Sequence, residues 1–313
     1  MSQFKVVFLG TPDFAVPCLE KLLADAHFDV VGVVTQPDRP AGRQMKLKAS
    51  PVKELALLRG LPVLTPEKIK DPMVIEQIKN LRAEAAVVVA FGQILPKSFL
   101  DLFPSRVVNV HGSLLPLWRG AAPIQRSLMN GDTETGVALQ IVVPKLDAGA
   151  VLGVRRVVLD DKIKSDELYE KLKHFGPELI ERELADFLRG HLAASEQDET
   201  LVTEAPKIKK EEGLVDWSKP ALKIYNEFRG LFSWPGSWTL RDGKILKIKS
   251  CQVKPLSKPA KPGEVVAVEK GSFLVACGVD ALSVDIVQPE SKAPMPVSEY
   301  LKGHTLNKGE ILK

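Results

Sequence analysis

Asn109 and His111 stand two residues apart at the end of an apolar run, Val107-Val108-Asn109-Val110, and Gly112-Ser113-Leu114-Leu115-Pro116 follows. In a strand, side chains i and i+2 leave the same face, so the amide and the imidazole emerge together. An amide donates to a developing oxyanion; an imidazole moves a proton or places positive charge beside it. The glycine after His111 lets backbone amides pass close to a ligand. Further on, Leu146-Asp147-Ala148-Gly149 offers a carboxylate at a turn, which Gly149 allows to be sharp. A carboxylate there orients the imidazole, holds it protonated, or takes a proton from an attacking amine through a water. Each piece has a plainer reading. Asn-x-His alone fits a core histidine beside a turn-capping asparagine, and Asp-x-Gly alone is a common turn. The combination shifts the balance towards chemistry.

The elements that must position these residues alternate along the first half of the chain. Lys5–Gly10, Val30–Thr35, Pro62–Leu64, Ala85–Phe91 and Val107–Val110 read as strands. Phe14–Leu23, Ser50–Arg59, Met73–Leu81 and Ala121–Met129 carry apolar residues at helical spacing. Apolar strands with crossover helices predict a largely parallel, Rossmann-like sheet of the α/β class. In such a sheet, ligands sit at the carboxyl ends of the strands, where Asn109 and His111 emerge. Gly136–Val143 and Val151–Leu159 extend the sheet as a hairpin, and Asp166–Leu188 is helical with a break near Gly176-Pro177. Asp13 is a candidate helix N-cap. The turn after the first strand, Gly10-Thr-Pro-Asp-Phe, lacks GxGxxG, which weighs against a dehydrogenase.

In order, Asn109-x-His111, Ser113-Leu-Leu-Pro116, Arg119-Gly-Ala-Ala-Pro123, Gly136 and Leu146-Asp147-x-Gly149 resemble the signature of the folate-dependent formyltransferases. The resemblance spans residues 4 to about 190. It implies Asn109, His111 and Asp147 as the catalytic trio, and 10-formyltetrahydrofolate as the formyl donor. It also implies that Ser113, Leu114, Leu115 and Pro116 contact the folate, with the pterin near Gln93, Ile94 and Leu95. An apolar slot with backbone donors suits a flat heterocycle, although Ile94 and Leu95 also fit ordinary core packing.

Members of that family differ in their formyl acceptor. The loop Thr35–Lys48 carries Arg39, Arg43, Lys46 and Lys48 against Asp38 alone. At the ligand edge of the sheet, such a loop can contact the phosphates or the unpaired end of an RNA. Gln36–Arg43 resembles the acceptor-sensing loop of the tRNA-directed members; as a bare charge run it would be a solvated loop. From Lys207 to Lys313 there are 18 Lys and Arg against 12 Asp and Glu, while the rest of the chain holds 25 against 27. A basic rear half favours a polyanionic partner. There, five short strands from Ser237 to Gln288, separated by turns of Gly and Pro, predict a small β-barrel of the oligonucleotide-binding (OB) kind. Asp216-Trp217-Ser218 and Phe232-x-Trp234-Pro-Gly-x-Trp238 resemble the same members' C-terminal domain. Trp217, Trp234 and Trp238 are expected mostly to pack rather than to stack on bases. RNA contact then falls to Lys207, Lys209, Lys210 and the row Lys244, Lys247, Lys249, the last two on one strand face. The expected division is a catalytic domain over 1–190, a linker over 191–212 and a barrel over 213–313.

The resemblance implies formyl transfer to the amino group of methionyl initiator tRNA; the three scattered cysteines read as reduced thiols of a cytoplasmic protein, and a monomer is expected. Formylation of a sugar nucleotide or small amine, or RNA binding without catalysis, are the competing readings. Cys18, Cys251 and Cys277 are too far apart for a metal motif, so no metal is expected. No run approaches the roughly 20 apolar residues of a membrane span.

Overall fold

The computed structural model describes residues 3–41 and 46–313. They form two compact units. One gathers Met1–Pro123, Glu134–Val158 and Tyr169–Ala205; the other gathers Ile124–Thr133, Leu159–Leu168 and Pro206–Lys313.

The first unit is built on a seven-stranded sheet. Its strands are β1 (Phe4–Gly10), β2 (Phe28–Val34), β3 (Val63–Leu64), β4 (Ala85–Val89), β5 (Val107–His111), β6 (Glu134–Ile141) and β7 (Val151–Val158). They lie in the order β7-β6-β5-β4-β1-β2-β3. Pairs from β3 to β5 are parallel, while β6 runs antiparallel to both β5 and β7. The mostly parallel α/β sheet is therefore present, with the hairpin on its edge. Central strands are buried on both faces, which is why Val-Val-Phe-Leu and Ala-Ala-Val-Val-Val read as unbroken apolar runs.

Val7, Leu9, Val34, Ala86, Val88 and Val107 meet Ile78, Phe91, Phe99 and Phe103 in one core cluster. Helices α1 (Val16–Ala24), α2 (Pro51–Leu58) and α3 (Pro72–Asn80) start where local chemistry dictates. Ser50 and Asp71 accept the amides of Lys53 and Met73, and proline occupies the first turn of α2 and α3. Helical residues 175–188 include a π turn at Ile180–Leu184. There Gly176 lies so close to Cys18 Sγ and Val110 that a Cβ would sit 2.6 Å from the sulfur. The helical break falls at residues 173–174, ahead of Gly176-Pro177.

Asp13 is not a cap. Pro12 holds the N-cap position, and the Asp13 carboxylate accepts Tyr169 Oη at 2.8 Å and Lys173 Nζ at 2.7 Å. Two charged or polar donors outcompete a single helix amide.

The second unit carries an antiparallel sheet. Its strands are β8 (Ser237–Arg241), β9 (Lys244–Lys254), β10 (Val265–Val268), β11 (Phe273–Ala276), β12 (Ala281–Pro289) and β13 (Met295–Pro296). The order is β8-β9-β12-β11-β10, with β13 beside β12. Residues 310–313 join the two ends of that order. Val265 donates to the Glu310 carbonyl and Leu312 to that of Gly263, while Lys313 donates to Leu240 in β8. The sheet thus closes into the expected barrel through a segment without strand-like sequence. Helix α4 (Ala221–Gly230) packs Ile224 and Phe228 onto its core with Val265, Val275 and Val284. Trp217 is buried there and donates to Thr239 Oγ1 at 3.1 Å, whereas Trp234 is 54% exposed. Leu246 and Ile248 point inward with Lys247 on the other face of β9, while Lys249, expected on that same face, falls at a bulge and sets its Nζ 5.1 Å from the Phe232 ring.

No helix among the described residues is long and apolar enough to cross a membrane.

Candidate functional site

The carboxyl end of β5 delivers Asn109 and His111 to the same face, as period-two geometry requires. His111 is buried, and its Nε2 lies 2.9 Å from the Trp118 carbonyl. A carbonyl only accepts, so Nε2 carries a proton whatever the charge of the ring. The other nitrogen, Nδ1, faces Asp147 Oδ2 at 3.7 Å. Imidazole and carboxylate are thus brought together from separate elements. Asn109 lies directly opposite Gln140 across the β5–β6 pair. Its side-chain amide forms no hydrogen bond among the described residues, which leaves both donor hydrogens for a ligand.

Asp147 is held from several sides. Oδ2 accepts the Gly120 amide at 2.9 Å, and Oδ1 accepts Gln140 Nε2 at 2.9 Å. The residue itself takes the left-handed conformation, with φ of 47°. Gly149, expected to make the turn sharp, is needed instead for closeness. A Cβ there would stand 1.7 Å from the Ile141 carbonyl oxygen. Asp tolerates the left-handed region better than most residues, which is why the bend falls on it.

Residues 195–205 complete the site. Gln197 Nε2 donates to the carbonyls of Asp147 and Gly149 at 2.8 and 2.7 Å. Its oxygen receives Nε and Nη2 of the buried Arg119, at 3.0 and 2.8 Å. Arg119 also binds Glu199, which Lys145 reaches at 2.6 Å. The hydrogen bond from Arg119, then that from Lys145, hold the Glu199 carboxyl down at about 2. Thr203 accepts the Trp118 amide, and Glu204–Ala205 pairs in parallel with Arg119–Gly120. Within the stretch expected as a linker, residues 195–205 are therefore a packed part of the site's support. Composition concealed this, because the segment works through backbone pairing and one glutamine rather than an apolar pattern. Gln140 had a signal: an amide inside Val-Ala-Leu-Gln-Ile-Val-Val is buried and must find a partner.

Ser113 is fully buried, and its hydroxyl donates to the Leu117 carbonyl at 2.6 Å. It ties the turn that includes the cis bond between Leu115 and Pro116. Leu114 and Leu115 are buried, Leu114 lying over Gly136. At the end of the neighbouring strand β4, Gln93 spans the 66–69 loop. It accepts the Ile69 amide at 2.8 Å and donates to the Pro66 carbonyl. Leu95 packs against the core, whereas Ile94 is 86% exposed. Thr11 and Gln36 both donate to the Phe91 carbonyl, tying the ends of β1, β2 and β4 into one rim.

In the basic loop, Arg39–Ala41 pairs antiparallel with Lys46–Lys48. Arg39 is paired with Glu67 at 2.7 Å, and Asp38 with Lys53. Lys46, Leu47 and Lys48 are exposed. Arg43 lies outside the described residues. In the second unit, Lys207, Lys209 and Lys210 are exposed. Among the described residues, no group of three or more His, Cys, Asp or Glu is placed to hold a metal ion.

Residues 4–184 match the formyl transferase family and residues 207–305 the formyl transferase C-terminal domain. A methionyl-tRNA formyltransferase from Bdellovibrio bacteriovorus is 50% identical, covering 100% of this chain and 99% of its own. One from Moorella thermoacetica is 44% identical, covering 98% and 99%. Among solved structures, an N-formyltransferase from Helicobacter canadensis, in complex with folinic acid and dTDP-3-aminofucose, superposes with a TM-score of 0.66. It is 16% identical and covers 90% of this chain and 99% of its own. The phosphoribosylglycinamide formyltransferase of Bacillus halodurans gives 0.52 at 18% identity, covering 59% and 95%. These structures share the fold; the full-length relatives share the sequence on both units. The chain belongs to the formyl transferase family.

Proposed function

We propose that this chain moves the formyl group from N10 of 10-formyltetrahydrofolate to the α-amino group of methionyl initiator tRNA. The observation that carries the acceptor is the 50% identity, over the whole length, to a relative named for methionyl-tRNA. The chemistry follows from the site. The neutral amine attacks the formyl carbon, a C–N bond forms, and the carbonyl electron pair moves to oxygen. The free Asn109 amide donates to that oxyanion, and a donor so placed is worth about 3–4 kcal/mol in the transition state. With Nε2–H committed to Trp118, His111 becomes an imidazolium by binding a proton on Nδ1, beside Asp147. That cation stabilises the oxyanion through the field it sets up. The carboxylate draws the proton from the new ammonium through a water; the oxyanion then collapses to the carbonyl, the bond to N10 breaks, and the same water returns that proton to N10 as the amide product leaves.

The folate is proposed to lie between the turn Ser113–Leu114–Leu115–Pro116 and the rim Gln93–Ile94–Leu95. An exposed isoleucine beside fixed backbone groups suits a flat heterocycle there. Arg39, Arg43, Lys46 and Lys48, with Lys207, Lys209 and Lys210, are proposed to contact the tRNA phosphates.

The test is transfer from 10-formyltetrahydrofolate to methionyl initiator tRNA, run beside a nucleotide-linked amino sugar. Formyl should appear on the tRNA alone, with binding that weakens steeply as salt rises. Formylation of the sugar amine with an untouched tRNA would overturn the acceptor.

A further inference from the structure

We infer that Gln140 is a positioning residue for Asp147, and that Gln197 fixes Gln140 in the orientation this requires. The inference deepens the formyl-transfer reading, on which its kinetic test rests.

Gln140 is 1% exposed, between Leu139 and Ile141 in β6. Burying an amide is costly unless both of its ends are bonded. Here Nε2 donates to Asp147 Oδ1 at 2.9 Å and Oε1 accepts Gln197 Nε2 at 3.4 Å. The orientations follow from donor inventory. Arg119 only donates, so it claims the Gln197 oxygen; Nε2 of Gln197 is then left for the carbonyls of Asp147 and Gly149 and for Gln140. Gln140 must therefore turn its own NH2 to the carboxylate. Flipping either amide sets oxygen against oxygen.

The consequence reaches the reacting groups. With Oδ1 held by Gln140, the Asp147 carboxylate cannot swing, and Oδ2 stays between the Gly120 amide and His111 Nδ1. Gln140 also sits opposite Asn109 in the sheet. One side chain thus sets the acid's position relative to the residues on β5. It touches no substrate in this arrangement and acts through Asp147.

The experiment compares Gln140→Leu and Gln140→Glu with the unaltered full chain. It measures kcat, both KM values, the kcat–pH profile and melting temperature. Histidine ring spectra of 15N-labelled protein without substrates are recorded alongside. Gln140→Leu should lower kcat 10- to 100-fold with both KM values within threefold. A carboxylate that loses a donor, or gains a like charge, ionises less readily, so the acid limb should move to higher pH, furthest in Gln140→Glu. The His111 ring signals should shift in both variants. Should Gln140→Leu fold poorly, the isosteric Gln140→Glu carries the same test. Unchanged kcat with unshifted His111 signals would overturn the inference, as would a kcat loss that only follows a lower melting temperature. If the unaltered protein formylates no tRNA, the functional reading fails, while the His111 spectra still decide the role of Gln140.

Discussion

Around Asp147, the buried Gln140 and the Gly120 amide hold a half-buried carboxylate beside His111, whereas Lys46, Leu47 and Lys48 are exposed on a strand paired with Arg39–Ala41. The two regions belong to the same unit and answer to different demands. Stabilising a developing oxyanion needs donors fixed before the reaction, in a place where water does not compensate for error. Meeting a polyanion needs charges that are easy to reach and tolerant of small displacements. Loss of one group should therefore fall on turnover in the first region and on affinity in the second.

The largest effect is expected at Asn109. Asn109→Ala removes an unshared donor and should cut kcat by about 10²–10³ while KM for the tRNA stays within a few-fold. Steady-state kinetics with both substrates checks this, and a rise in KM at constant kcat would erase the contrast. Gly149→Ala comes next. Its Cβ would collide with the Ile141 carbonyl and displace the Asp147 turn. Turnover should fall roughly tenfold or more, with a stability cost of about 1–3 kcal/mol read from denaturant unfolding.

The triple variant Lys207→Ala, Lys209→Ala, Lys210→Ala extends the comparison to exposed cations of the second unit, where the same tolerance is expected. Its KM for tRNA should rise roughly tenfold and the slope of log K against log salt should shrink by about two, with kcat nearly intact. Filter binding across a salt series measures it. A kcat loss without a change in salt slope would place these lysines nearer the chemistry than their exposure implies.

The smallest effect concerns an ion pair that serves neither region. Burial tends to raise the Asp13 carboxyl, but the hydrogen bonds from Lys173 and Tyr169 bring it below its ordinary 3.8. A carboxyl depressed on folding adds stability that is complete above about pH 4 and is lost as pH falls through the lower value. Lys173→Met should reduce the melting temperature by roughly 1–3 °C at pH 7, and the two proteins should converge towards pH 2. Parallel melting curves at every pH would show that Lys173 acts through packing.

The same contrast explains what could be read from the chain alone. The strands of the first sheet were legible because burial on both faces leaves runs such as Ala85–Val89 without polar residues. The nearness of His111 and Asp147, 3.7 Å apart, was legible because both stand at the ends of such runs in a recognisable order. Residues 195–205 were not, since Gln197, Glu199 and Thr203 read as a solvated connection until the groups they bind are in place. Asp13 was misassigned for a related reason: its partners Tyr169 and Lys173 lie more than 150 positions away. The basic loop was found by its charge, but pairing of Arg39 with Glu67 leaves it less positive than its composition suggests.

Closure of the antiparallel sheet by residues 310–313 also sets an order of events in synthesis. Its two open edges cannot be joined until those residues have left the ribosome, however early the preceding strands collapse. Ile124–Thr133 and Leu159–Leu168, made far earlier, must wait for them to complete the unit to which they belong. Long-range pairings of this kind are slow to form, and they leave edges exposed in the meantime. A truncation just ahead of residue 310 should therefore leave both of those edges unjoined, a cost larger than the few residues removed would suggest.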